Sequence, residues 1–106
     1  MDKDLAEQLK HAGFPQRLRY GTQYYPHDKS NIHVWTEDGD PPPDTVKAPS
    51  LEELIEACGT NLESLERLAP SMWNAWNGIL GDQSVTAEGS SPIQTIARLW
   101  MALNDR

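Results

Sequence analysis

The sequence predicts a small α+β fold: an antiparallel sheet of three to five strands with two or three helices mainly on one face. Three observations carry that prediction. Segments near residues 2–12, 50–58 and 91–104 join apolar residues at helical spacing to capping residues at their starts. Between them lie short alternating or aromatic-rich segments bounded by Gly and Pro, the pattern of strands and turns. A chain of 106 residues also fits one domain, read as 1–106. The predicted order is α-β-β-α-β-β-(β)-α.

Asp2 or Asp4 caps the first helix, and Leu5, Ala6, Leu9 and Ala12 form its apolar stripe. Gly13 offers a left-handed C-terminal cap, Pro15 prevents continuation, and Phe14 is expected to fold back onto the core. In residues 17–25, Leu18, Tyr20, Thr22 and Tyr24 alternate with Arg17, Arg19, Gly21 and Gln23. That suits a half-buried strand with the first set inward, ended by Pro26. Ile32-His33-Val34-Trp35 is short and β-prone, and pairs with that strand across residues 27–31. From Glu37 to Thr45, three prolines and four carboxylates specify a solvated loop, and the acidic Pro-rich stretch is bounded at 37–49.

Ser50 and Glu53 have capping-box spacing for a second helix, with Leu51, Leu54, Ile55 and Cys58 as its stripe and Gly59 closing it. Residues 61–78 read two ways. Leu62, Leu65 and Leu68 repeat every three, and Thr60 with Glu63 supplies another capping box, which on pattern alone favours a helix. Trp73-Asn74-Ala75-Trp76-Asn77 instead looks like a strand end with aromatics to pack. Gly78, Gly81 and Gly89 punctuate the next stretch, with one short strand over residues 83–87. In the last helix, Ser91 is the cap, Pro92 takes the first helical position and Gln94 has capping-box spacing. Ile93, Ile96, Ala97, Trp100 and Leu103 make its apolar face, widened by Leu99 and Met101.

The C-terminal third reads Gly89-Ser90-Ser91-Pro92-Ile93-Gln94-Thr95-Ile96-Ala97-Arg98-Leu99-Trp100-Met101-Ala102-Leu103-Asn104. Leu51-Glu52-Glu53-Leu54-Ile55-Glu56-Ala57-Cys58-Gly59 and Trp73-Asn74-Ala75 precede it. These phrases resemble a group of small uncharacterised phage- and prophage-associated proteins, over about half the chain. Members usually carry acidic residues where this chain has Ile93 and Gln94, which makes its helix N-terminus stickier. The resemblance implies strands at 62–67 and 72–77 in place of a leucine helix. It brings no known activity, so no catalytic residue is carried over. A strand-loop-strand running through Gly-Ser-x-Pro into a helix is also the closing pattern of antitoxins of the HicB kind, a likeness of fold alone.

Composition narrows the chemistry. Sixteen Asp+Glu against nine Lys+Arg give a net charge of −7, which disfavours nucleic acid as a partner. Leu, Ile, Val and Phe together number 20 of 106, near the level at which charged chains stay disordered. Four Trp and three Met offset that shortage. No apolar run approaches the roughly 20 residues that span a bilayer. The segment Met1–Glu7 is charged and lacks the apolar stretch of a signal peptide. Cys58 stands alone, which excludes an internal disulfide or a thiolate zinc cluster. The expected location is a reducing cytoplasm, that of a bacterial host. No glycine-rich phosphate loop, HExxH or GxSxG occurs, and no cofactor is implied.

Each remaining constellation has a bland rival. Cys58 ends a helix, where the dipole disfavours a thiolate, and reads as structural. His27, Asp28 and His33 are the best metal candidates by type, but no fourth ligand is specified and exposed turn residues explain them as well. Glu37, Asp38, Asp40 and Asp44 lack EF-hand spacing and read as a solubilising loop or an acidic recognition loop stiffened by Pro41-Pro42-Pro43. Arg17, Arg19, Gln23 and Tyr25 would share one strand face able to bind a phosphate or an acidic partner, with Tyr25 stacking. Trp35, Trp73 and Trp100 are assigned to the core. Trp76, out of phase with Trp73 and Ala75, is assigned to the surface.

The functional expectation is a non-enzymatic protein-binding module of phage or prophage origin, an inhibitor or modulator of a host protein. Its contact residues would be Trp76, Tyr25, Asp38, Asp40 and Asp44, with no metal site. Two other classes stay open. One is a small metal-dependent hydrolase or nucleotide-binding enzyme using His27, Asp28 and His33. The other is an antitoxin-like DNA-binding regulator using Arg17 and Arg19. The last helix carries more apolar surface than one sheet face buries, which predicts a homodimer through it.

Overall fold

The first helix, α1 (Lys3–His11), is specified at both ends by side chain and backbone. Asp2 is its N-cap and accepts from the Leu5 N–H at 2.8 Å. At the other end Gly13 N–H donates to Lys10 C=O and Phe14 N–H to Leu9 C=O, the paired bonds of a Schellman cap. The same cap turns Phe14 inward, where it is buried with Leu9. Leu5, Ala6 and Leu9 form the buried face, whereas Ala12, expected in the stripe, is exposed at the cap.

The computed structural model describes residues 1–26, 31–36 and 44–104. These form two compact units, Met1–Ser50 and Leu51–Arg106. Architecture is α+β, with three helices and two antiparallel three-stranded sheets among the described residues.

In the N-terminal unit, β1 (Gln23–Tyr25) lies between β2 (His33–Val34) and β3 (Val46–Ala48). Tyr24 is paired with His33 on one side and with Lys47 on the other. Tyr25, Val46 and Ala48 pack with Ala6 of α1, and Met1 lies against that cluster. Tyr24 points to the opposite face, with its ring edge-on to buried Trp35 at 5.9 Å.

Two expectations for this unit are corrected. The strand does not run over 17–25 with Tyr20 and Tyr24 inward. Thr22 N–H donates to Arg19 C=O at 2.9 Å and Arg19 N–H to Thr22 Oγ1 at 3.0 Å, closing a turn with Gly21 at a φ of 89°. That turn resets the alternation, so Tyr20 is 79% exposed and Tyr25 faces the core. The stretch 37–49 is not loop throughout either. Residues 46–48 form the buried strand β3, because Val46 and Ala48 supply the apolar face that α1 needs. Residues 37–43 lie outside the described residues.

The C-terminal unit opens with α2 (Leu51–Cys58), which buries Leu54 and Cys58 and leaves Ile55 partly exposed. A 3-10 turn over Gly59–Asn61 leads into a meander of β4 (Ser64–Ala69), β5 (Met72–Trp76) and β6 (Thr86–Gly89). The leucines spaced by three therefore do not form a helix. Leu65 lies opposite Ala75, while Leu68 falls at a register shift beside the β4–β5 turn and is 54% exposed. Strand β6 starts later than the expected 83–87, because residues 81–83 form a 3-10 turn.

Helix α3 (Pro92–Asn104) lies on β5 and β6 and against α2. Ser91 Oγ accepts from the Gln94 N–H at 3.2 Å, while Gln94 Oε1 accepts from Ser90 N–H at 2.7 Å. The capping box is thus displaced by one residue. A Cβ on Gly89 would lie 2.6 Å from Thr95 Oγ1, so the strand and helix approach at a distance only glycine permits. Gly89 pairs with Trp73, which places Trp73, Ala75 and Ala87 on the side of the sheet that α3 covers.

Candidate functional site

The loop between β5 and β6 is held by five side-chain hydrogen bonds from Trp76 and Asn77. Asn77, 4% exposed, directs it from the base. Its Nδ2 donates to Gln83 C=O at 2.9 Å, and its Oδ1 accepts from Ile79 N–H at 3.2 Å and Val85 N–H at 3.0 Å. Its own N–H donates to Val85 C=O at 3.1 Å. The Trp76 indole N–H is 3.3 Å from both Ile79 C=O and Ser84 Oγ. Gly78 packs against Glu63 with a φ of 78°, and an added Cβ would meet Glu63 Cβ at 2.8 Å. At the tip, Ile79 is 39% exposed and Leu80 82% exposed.

Beside this loop is the sheet face turned away from α3. Alternation puts Asn74 and Trp76 there, opposite to Trp73 and Ala75. Their cross-strand partners make two rows: Glu66, Asn74 and Glu88, then Ser64, Trp76 and Thr86. Met72, 46% exposed, shares the face. Glu66 and Glu88 are exposed, so the face is acidic and polar at its centre, with Trp76 between Ser64 and Thr86 at the loop end and Met72 at the other. The charge is regional. Residues 51–106 hold eight Asp+Glu against three Arg, a net −5 of the chain's −7.

The expected contact residues do not come together. Trp76 is half-buried, and it forms the floor of the loop. Tyr25 is 5% exposed and donates its hydroxyl to Met1 C=O, so it belongs to the N-terminal core and offers no stacking face. Burial, and then the nearby Asp2 carboxylate, raise its phenol above 10.0. Asp44 is exposed at the turn into β3, with a left-handed φ of 62°. Asp38 and Asp40 lie outside the described residues.

Of the metal candidates, His27 and Asp28 also lie outside the described residues. His33 is exposed on β2, with its ring 5.8 Å from that of Tyr24. Among the described residues no group of three or more His, Cys, Asp or Glu could hold a metal ion. Arg17 and Arg19 are exposed before β1, not on it. Burial pushes the Cys58 thiol up to about 11, which leaves it protonated at neutral pH. No family model, curated protein or solved structure matches the chain. The site is therefore defined by its own geometry.

Trp35 and Trp100 are buried as expected, but Trp73, expected in the core, is only half-buried. Most of the apolar face of α3 is already buried: Ile96, Ala97 and Leu99 at 0% exposure and Trp100 at 7%. Ile93, Met101 and Leu103 are half-buried. Among the described residues no helix is long and apolar enough to cross a membrane. Sequence reasoning missed the Ile79-Leu80 tip altogether. Its signal was an apolar pair between Gly78 and Gly81, directly after an Asn.

Proposed function

We propose that the chain is a non-enzymatic protein-binding module of phage or prophage origin that modulates a host protein in the bacterial cytoplasm. Its contact surface is the 79–80 tip with the adjoining face of β4, β5 and β6. One observation carries the reading: Leu80 is 82% exposed on a loop that a buried Asn side chain holds in shape. An apolar side chain presented on a fixed backbone costs little loop-ordering entropy when it docks, which favours binding. The surrounding carboxylates select a basic partner surface with an apolar pocket and repel nucleic acid. For self-association, the half-buried Ile93, Met101 and Leu103 of α3 are what a homodimer would use.

The test compares wild type with Leu80→Asp as bait in bacterial lysate. The substitution should leave folding stability within about 0.5 kcal/mol, because the side chain is exposed. A partner held by wild type and lost by the variant is the expected result. A partner held equally by both, or none at micromolar bait, overturns the proposal. Light scattering at the same concentration reads the homodimer as twice the 11.9 kDa chain mass.

A further inference from the structure

The clamp residue is followed by glycine, and Asn-Gly is the dipeptide most prone to spontaneous deamidation. Glycine leaves its own backbone nitrogen unhindered for attack on the preceding side chain. Both residues are nonetheless required here. Asn77 supplies both the donor to Gln83 C=O and the acceptor for Ile79 and Val85 N–H. Gly78 alone tolerates its φ of 78° and its closeness to Glu63. The loop is therefore built on a chemically labile pair.

We propose that Asn77-Gly78 is a deamidation site kept dormant by the hydrogen bonds that shape the loop, so that opening of the loop is converted into its permanent loss. In the open loop the Gly78 backbone nitrogen attacks Asn77 Cγ. A C–N bond forms, the Cγ–Nδ2 bond breaks, and the Gly78 N–H proton leaves with Nδ2 as ammonia. Water then opens the resulting succinimide at either carbonyl, giving aspartyl or isoaspartyl at position 77. In the folded loop this route is blocked, because Asn77 is 4% exposed and both of its amide atoms are engaged. The product cannot re-form the whole clamp: the aspartyl form keeps the acceptor for Ile79 and Val85 N–H but loses the donor to Gln83 C=O. An ionised carboxylate has no proton to donate to Gln83 C=O and repels it, and the isoaspartyl form adds a backbone atom.

The experiment incubates the full chain in mildly alkaline buffer, folded and in guanidinium chloride. Peptide mapping follows the mass gain and the isoaspartyl content at position 77. Deamidation of the folded chain should be slower by roughly tenfold or more, because it must pass through the open loop. The isoaspartyl fraction, whose added backbone atom displaces the acceptor, should lose hydrogen-exchange protection at the Ile79 and Val85 amides. An Asn77→Asp variant, which keeps Oδ1 as their acceptor, should lose less. Equal rates in the folded and unfolded chain overturn the proposal. So does an isoaspartyl fraction whose Ile79 and Val85 amides stay protected.

Discussion

The two units solve the same problem, an antiparallel sheet in few residues, by opposite means. In the N-terminal unit the strands are three, two and three residues long, too short for a self-supporting ladder. Side chains from distant segments complete it. Lys10 Nζ donates to Thr45 C=O across 35 residues of sequence, Lys47 N–H to Gln16 Oε1 across 31, and Tyr25 hydroxyl to Met1 C=O across 24. In the C-terminal unit the strands are six, five and four residues long. Its loop and caps are stitched locally: Asn77 reaches Val85 N–H across 8 residues and Arg98 reaches Glu88 C=O across 10. Short strands must recruit remote side chains, whereas longer ones leave side chains free to shape loops and caps.

The largest expected effect probes the C-terminal core. Leu99→Ala removes a fully buried side chain of α3 and should destabilise by about 2–5 kcal/mol in a urea titration. A loss below about 1 kcal/mol would mean that ladders, not the helix-on-sheet core, hold this unit.

A middle effect addresses the contrast directly. Gln16→Ala strips the acceptor from the Lys47 N–H in the first unit and should cost about 1–2 kcal/mol. Ser84→Ala removes a local, exposed bond to Trp76 in the second and should cost about 0.5 kcal/mol or less. Equal losses in the two variants would erase the distinction between remote and local stitching.

An effect absent at neutral pH appears only in alkali. Cys58 is held protonated by burial, so in alkali the thiolate forms first in the unfolded chain. Stability should fall as pH rises from 9.0 toward about 11, with Tyr25 adding to the loss above its ordinary 10.0. A Cys58→Ala variant should show a shallower decline over the same window, measured by thermal melts. An unchanged slope would show that Tyr25 and other groups account for it.

These contrasts also explain what could be read in the sequence. Asp2, Gly13, Ser50, Ser91 and Gln94 marked the three helices because caps act within a few residues of themselves. In the second sheet β5 and part of β6 were legible from the residues, but β4 was not, since Leu62, Leu65 and Leu68 taken alone favour a helix. The first sheet was misread in phase. Gly21, at the third position of the Arg19–Thr22 turn, was its local signal, whereas nothing local to residues 17–25 reveals that β3 arrives from residues 46–48. The candidate site was half legible: alternation assigned Trp76 to the face opposite Ala75, but not its role under the loop. Asn77 was invisible because its three side-chain bonds meet backbone atoms, which carry no sequence signature.

Clamping through backbone atoms also decides how such a loop changes over generations. Asn77 and Trp76 grip the carbonyls and amides of residues 79, 83 and 85, with Ser84 Oγ as a side-chain partner. Shape is thus inherited separately from the identity of the tip. Ile79, Leu80 and Asp82 are open to replacement by drift or selection while the loop's path stays the same. A lineage carrying this fold can exchange the residues of the tip without relearning how to fold.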